Sequence, residues 1–184
     1  MVAHTPMGCY AQYTTFPEQI TAYTDYYINN LNKYNTIMAY KISKNFTLEE
    51  MYSSASAKKY NINNTPSADI QRNIVKLVSE VLQPIRDAWG DSIIVSSGYR
   101  CPELNKKVGG ATNSDHRFGS AADIHTKSDT VADNKKLFDL ICKMAKEGKI
   151  KCRQIIDEYN YNWVHVSINH SANSQKNNQV LHIK

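Results

Sequence analysis

The sequence predicts an α+β fold: a small antiparallel sheet with helices packed on one side. Three observations carry this. The longest stretch of 3.6-residue apolar periodicity lies in the first half of the chain, ending near Trp89. Short apolar runs bounded by Gly, Asn and Ser bunch in the second half. Two of those runs flank Asn160-Tyr161-Asn162, a hairpin signal.

Taken in order, residues 1–44 differ in texture from the rest. They hold seven of the twelve tyrosines, and this sets them apart as an extension before a domain at 45–184. A helix over Pro17–Leu31 would place Ile20, Tyr23, Tyr27 and Leu31 on one stripe. No role for this extension follows from its residues. Thr47 and Glu50 form a capping box, which predicts a short helix to about Ser56. A long helix is expected from Ser67 to Trp89, striped by Ile70, Ile74, Leu77, Val78, Val81, Leu82 and Ile85. Pro84 should kink it, and Gly90 should end it.

Ser92–Ser96 reads as a buried strand. Gly98–Gly119 reads as loop with one helical turn at Pro102–Lys106. Ala121–Thr126 is a second strand, and Asp129–Glu147 a helix with Leu137, Ile141 and Ala145 on one face. Gln154–Tyr159 and Trp163–Ile168 form the hairpin, and a last strand is expected at Gln179–Ile183.

The chain has 184 residues, 41% apolar and 21% charged, enough for one domain with a real core. No apolar run is long enough for a membrane span. The N-terminus lacks a basic start and an apolar stretch, so no export signal is read there. The net charge of +5 without interleaved aromatic and basic residues predicts no nucleic-acid partner. Cys9, Cys101, Cys142 and Cys152 include no CxxC pair, which argues against a thiolate metal site. They are read as reduced thiols. The oligomeric state is left open.

The chemistry-bearing residues are His116, Asp123 and His165. His116 and Asp123 stand seven apart across a small-residue turn at Gly119, so the loop can fold back and bring them together. Alternation puts Trp163, His165 and Ser167 on one strand face. Imidazole nitrogen and carboxylate oxygen both bind zinc at about 2 Å. Three protein ligands leave a fourth position open, as in catalytic sites. Spacing alone leaves two packed histidines as an equal or better reading.

The order of motifs adds to this. The run Ser97-Gly98-Tyr99-Arg100-Cys101-Pro102-Glu103-Leu104-Asn105 is followed by Val108-Gly109-Gly110-Ala111. Then come Ser114-x-His116-x-x-Gly119-x-Ala121-x-Asp123 and Trp163-Val164-His165-Val166-Ser167. Together they resemble the M15 family of zinc D-Ala-D-Ala peptidases, closest to its phage and gut-bacterial branch. The resemblance covers roughly residues 45–184. It implies a hedgehog/DD-peptidase-like single domain with one zinc per chain on His116, Asp123 and His165. It implies hydrolysis of D-amino-acid-containing bonds in peptidoglycan stem peptides, by a carboxypeptidase or an endopeptidase. It also implies that Arg100 holds the scissile carbonyl or a substrate carboxylate. With no export signal, it suggests an endolysin or virion lysin, in the host cytoplasm or the phage particle and acting on the cell wall.

One position departs from the pattern. The acid expected three residues before the last histidine is Asn162 here, and an amide cannot take a proton. Glu158 is the candidate replacement. A four-residue turn at Tyr159–Asn162 would pair it with Trp163, on the face of His165. A one-residue slip would put Asp157 there instead. Ser114, His125, Tyr99 and Trp163 are candidate substrate-binding residues. His125 shares the face of Asp123 and reads equally as a packed residue, and Gln154 is a weaker candidate for bonding a ligand. His4, His170 and His182 read as surface or tail residues. The alternative function is a non-catalytic, zinc-containing module that binds cell wall or protein.

Overall fold

A computed structural model describes residues 40–173 and 175–184. The helix expected at Pro17–Leu31, His4 and Cys9 lie outside the described residues. Of the stretch set apart by composition, residues 40–44 are described, and Ile42 is buried in the core. Among the described residues no helix is long and apolar enough to cross a membrane.

The capping box at Thr47 and Glu50 forms: the Glu50 N–H donates to Thr47 Oγ1 at 3.2 Å, and the Thr47 N–H reaches Glu50 Oε2 at 3.5 Å. It nucleates only a 3-10 turn, Glu49–Met51. The expected continuation to Ser56 stops because Met51 turns its carbonyl to the Tyr99 N–H at 2.7 Å. The chain restarts as α1 (Ala55–Tyr60), with Ser54 Oγ accepting from the Ala57 N–H.

The long helix is α2 (Ala68–Leu77), a π-helical stretch Val78–Leu82, and α3 (Gln83–Trp89). Pro84 is absorbed by that widened turn. Its ring would press on the carbonyl four residues back in a regular α-helix, and the π stretch just before it relieves this crowding. Gly90 ends α3 at φ +80°, as expected.

Five strands follow: β1 (Ile93–Ser97), β2 (Ala121–Thr126), β3 (Gln154–Glu158), β4 (Trp163–Ser167) and β5 (Gln179–Ile183). Between β1 and β2 lie α4 (Pro102–Lys107) and a 3-10 turn, Asp115–Phe118. Between β2 and β3 lies α5 (Val131–Lys146), N-capped by Thr130. The sheet order is β1-β2-β4-β3-β5. The first three pairings are antiparallel, as expected.

The last pairing is parallel, so the expected antiparallel sheet carries one parallel edge strand and is mixed. The chain leaves β4 beside the start of β3, crosses that end, and runs alongside β3 in the same direction. Asn178 fixes the crossing. Its N–H donates to the Cys152 carbonyl, and its side-chain oxygen accepts the Cys152 N–H, both at 2.8 Å.

One sheet face is apolar. Ala122, Ile124, Ile155, Val164 and Val166 are buried in one core with Leu137 and Ile141 of α5 and with Ile74, Leu77, Leu82 and Ile85 of the long helix. The other face carries Asp123, His165 and Glu158, and so holds the polar side chains of the domain's cleft.

A bulge positions the edge of that cleft. Val95 pairs with Ile124 and Ser97 with Asp123, so Ser96 is the extra residue. The strand end then swings Gly98–Arg100 over β2. Gly98 is required there: a Cβ on it would lie 2.1 Å from the Met51 carbonyl oxygen. Gly98→Ala is therefore expected to cost about 1–3 kcal/mol by overpacking against backbone. Urea unfolding checks this, with a lowered midpoint and an unchanged slope.

Candidate metal centre

β2 and β4 are adjacent in the middle of the sheet, and Asp123 and His165 are direct cross-strand partners. Both point to the cleft face. His116 comes from the 3-10 turn Asp115–Phe118, within the segment whose Gly, Asn and Ser content predicts loop. Gly119 ends this turn at φ +65°, and a Cβ there would meet Ile70 Cγ2 and the Ile70 carbonyl oxygen at 2.9 Å. Glycine lets the chain reverse against the long helix and drop into β2.

The three side chains converge. His116 Nε2 lies 3.1 Å from Asp123 Oδ1 and 3.2 Å from His165 Nδ1, and His165 Nδ1 lies 2.9 Å from Asp123 Oδ1. All three residues are buried. Ligand atoms around a tetrahedral zinc, each roughly 2.0–2.1 Å from it, stand about 3.3 Å apart. The observed triangle is close to one face of that tetrahedron.

Hydrogen bonding says what the triangle wants. His116 Nδ1 lies 2.7 Å from the Gly98 carbonyl oxygen, which can only accept, so Nδ1 carries the proton. The Nε2 lone pair then faces the Asp123 carboxylate. Burial pushes the His116 imidazole below its ordinary pKa despite the nearby carboxylate, which keeps the ring neutral. Burial would raise the Asp123 carboxyl, but the neighbouring His116 and His165 imidazoles outweigh it. Asp123 is held well below the usual carboxylate range. A buried carboxylate and a facing lone pair at this separation suit a bound cation, and the Arg100 guanidinium stands beside them, its Nη2 3.3 Å from His116 Nε2. Two nitrogens and one oxygen without thiolate suit zinc.

Arg100 is tied into the same cluster. Its Nη2–H donates to Asp123 Oδ2 at 2.7 Å and its Nε–H to Ser97 Oγ at 2.8 Å. Its backbone N–H donates to the His116 carbonyl at 3.1 Å. Asp123 therefore turns one oxygen to the histidines and the other to the guanidinium. Asn64, which the sequence reading missed, braces this segment. Its amide donates to the Tyr52 and Tyr99 carbonyls, and its oxygen accepts the Cys101 N–H.

Glu158 pairs with Trp163, in the expected register. Its Oε1 lies 4.0 Å from His165 Nδ1. Burial raises its pKa, and the Asp123 charge raises it further, against weaker pulls from His165, the Trp163 indole and Arg100. The turn that sets this register holds Tyr159, Asn160 and Tyr161 at positive φ. Asp157 points to the opposite face, where it accepts the Tyr161 N–H at 2.6 Å and pairs with His182. Asn162 sits in the turn, its N–H on the Glu158 carbonyl at 3.1 Å, and does not itself line the cleft.

The cleft has a volume of about 580 Å³, and Tyr99, Ser114 and Trp163 line it. His125 does not. Its Nδ1 faces the Thr126 carbonyl and Asp129, because the β2 end turns away there. Gln154 lies at the far end of β3, bonded to Gln179. His182 is paired with Asp157 but half exposed. His170 is a correction to the surface reading: it is buried, and its Nε2 lies 3.2 Å from Asp115 Oδ1. A histidine in an Asn- and Ser-rich loop carries no local sign of burial; the β4–β5 connection folding back supplies it. Cys142 and Cys152 are pushed up to about 11 and about 12 by burial, so neither is a reactive thiol. Among the described cysteines none is disulfide-bonded.

Comparison with known proteins bears on the whole arrangement. A family model described as Peptidase M15 matches residues 44–167, more than half of the chain. A zinc D-Ala-D-Ala carboxypeptidase from Streptomyces albus G is 50% identical over 44 residues, which are 23% of this chain. The match spans 17% of that protein's length.

Proposed function

The chain belongs to the peptidase M15 family, and on that premise we propose that it is a zinc-dependent hydrolase of D-amino-acid-containing bonds in peptidoglycan stem peptides. One observation carries the reading: the His116–Asp123–His165 triangle opens on a cleft in which the same sheet face presents a partly buried glutamate 4.0 Å from a triangle atom. The name of the Streptomyces relative supports the choice of metal and of bond.

His116 Nε2, Asp123 Oδ1 and His165 Nδ1 would hold the ion. Bound there, zinc supplies a Lewis acid that acidifies water and polarises a carbonyl. The chain's own groups do the rest. Glu158 Oε1 takes the proton from the attacking water and returns it to the leaving amine nitrogen. Its raised pKa suits a group that must both accept and release. Arg100 is held by Ser97 and Asp123 at the cleft floor, where its guanidinium stabilises the developing negative charge on the carbonyl oxygen. Trp163 and Tyr99 give the peptide two aromatic walls, and Ser114 offers a hydroxyl.

A second reading, a zinc-containing binding module without turnover, is favoured by Asn162 alone. The test is mass spectrometry of peptidoglycan digested with the purified chain. Release of single alanines is expected from a carboxypeptidase. Split cross-links or freed stems are expected from an endopeptidase, the mode that suits a phage endolysin or virion lysin. Unchanged muropeptides alongside bound zinc would favour the binding module.

A further inference from the structure

The residue before His116 has a demanding environment of its own. Asp115 is a buried carboxylate with three donors from two separate places. Arg153, at the entry to β3, donates through Nη1 to Oδ2 at 2.9 Å. His170 and Asn173, in the β4–β5 connection, approach Oδ1 at 3.2 and 2.9 Å. The His170 tautomer is set by its other nitrogen: Nδ1 accepts the Ala172 N–H at 3.2 Å, so Nε2 carries the proton toward Asp115. The His170 ring also stacks on Phe118, centroids 4.3 Å apart and planes 24° from parallel. Arg153 and Asp115 balance in charge, and each carboxylate oxygen has a partner, as a buried ion pair requires.

None of these groups faces the cleft. Their common feature is the 3-10 turn Asp115–Phe118, gripped at its first residue by Asp115 and at its last by the Phe118 stack. His116 lies between the two grips. We propose that Asp115, held by Arg153, His170 and Asn173, is a positioning residue that fixes the His116 ring for the metal. The β4–β5 connection thereby serves as a strap over the metal turn. His165, at the centre of β4, is oriented by the sheet. His116 is on a short turn outside the sheet; the Gly98 carbonyl holds its ring, and the strap holds the turn that carries it. Asp115→Asn would put an amide N–H among donors and break the grip on at least one side.

This inference rests on the metal reading above, and its test separates the two. Zinc affinity is measured by chelator competition for the full chain, for Asp115→Asn and His170→Phe, and for the core control Ile141→Val on the opposite sheet face. Asp115→Asn is expected to weaken zinc binding roughly 10–100-fold, with the residual site still saturable at higher zinc. His170→Phe keeps the stack and removes one donor, so a smaller loss of about 3–10-fold is expected. Ile141→Val lowers stability and should leave affinity unchanged. Affinities of both strap variants within about twofold of the parent would overturn the inference, as would an equal loss in Ile141→Val. If Asp115→Asn does not fold, His170→Phe decides. A parent chain that binds no zinc would overturn the metal reading and this one with it.

Discussion

Glu158→Gln is expected to lower kcat by about 10²–10⁴-fold while KM changes by no more than a few-fold. The substitution keeps the size and shape of the side chain and removes its ability to take a proton. Glu158 lies across the hairpin from Trp163 and 4.0 Å from His165 Nδ1, without completing the donor triangle itself. Zinc content should therefore stay at one per chain. Steady-state kinetics on a muropeptide, with metal analysis of the same sample, reads both. The paired changes Asp157→Asn and Asn162→Ala are expected to leave kcat near the parent value. Asp157 lies on the other sheet face, and Asn162 is confined to the turn. Parent-level turnover in Glu158→Gln would remove Glu158 from the mechanism and return the question of the base to the cleft's other groups.

Removing the metal should have the largest effect of all. Chelation, or His116→Ala, is expected to reduce hydrolysis by about three powers of ten or more. Lewis-acid stabilisation of the transition state amounts to several kcal/mol, and each 1.4 kcal/mol is tenfold. Added zinc should restore the chelated parent and leave His116→Ala inactive. Stability should follow. Without the metal, Asp123 Oδ1 faces the His116 lone pair at 3.1 Å, with only the Arg100 guanidinium on its other oxygen to offset the charge. Zinc at about a hundred times its dissociation constant contributes about 2.7 kcal/mol, so chelation should lower the melting temperature by about 5–10 °C. Calorimetry with and without chelator checks this. An unchanged melting temperature would mean that the triangle holds no ion.

The parts of the site on strands were legible in the sequence, and the parts on connections were not. Alternation places Trp163 and His165 on one face, and a four-residue turn fixes the parity of Glu158 against Trp163. Both follow from a side-chain period of two, and both hold. The long helix was read from its stripe, but the π stretch was not, because a widened turn leaves the apolar pattern almost unchanged. The sense of β5 was missed because it depends on where the preceding loop crosses the sheet, and here it crosses the start of β3. Asp115, Arg153 and His170 were missed for a related reason. They are 17 to 55 residues apart and meet only when the entry to β3 and the β4–β5 connection both close on the metal turn. The resemblance identified His116, Asp123 and His165 together. Spacing alone did not, since nothing local tells a packed histidine from one whose lone pair converges with two others.

His116, Asp123 and His165 are together expected to hold one catalytic zinc. Anomalous scattering from a crystal grown with zinc, collected on both sides of the zinc absorption edge, tests it most directly. The expected result is one strong peak about 2.0–2.1 Å from His116 Nε2, His165 Nδ1 and a carboxylate oxygen of Asp123. The absence of a peak there, or a peak ligated by other residues, would contradict it.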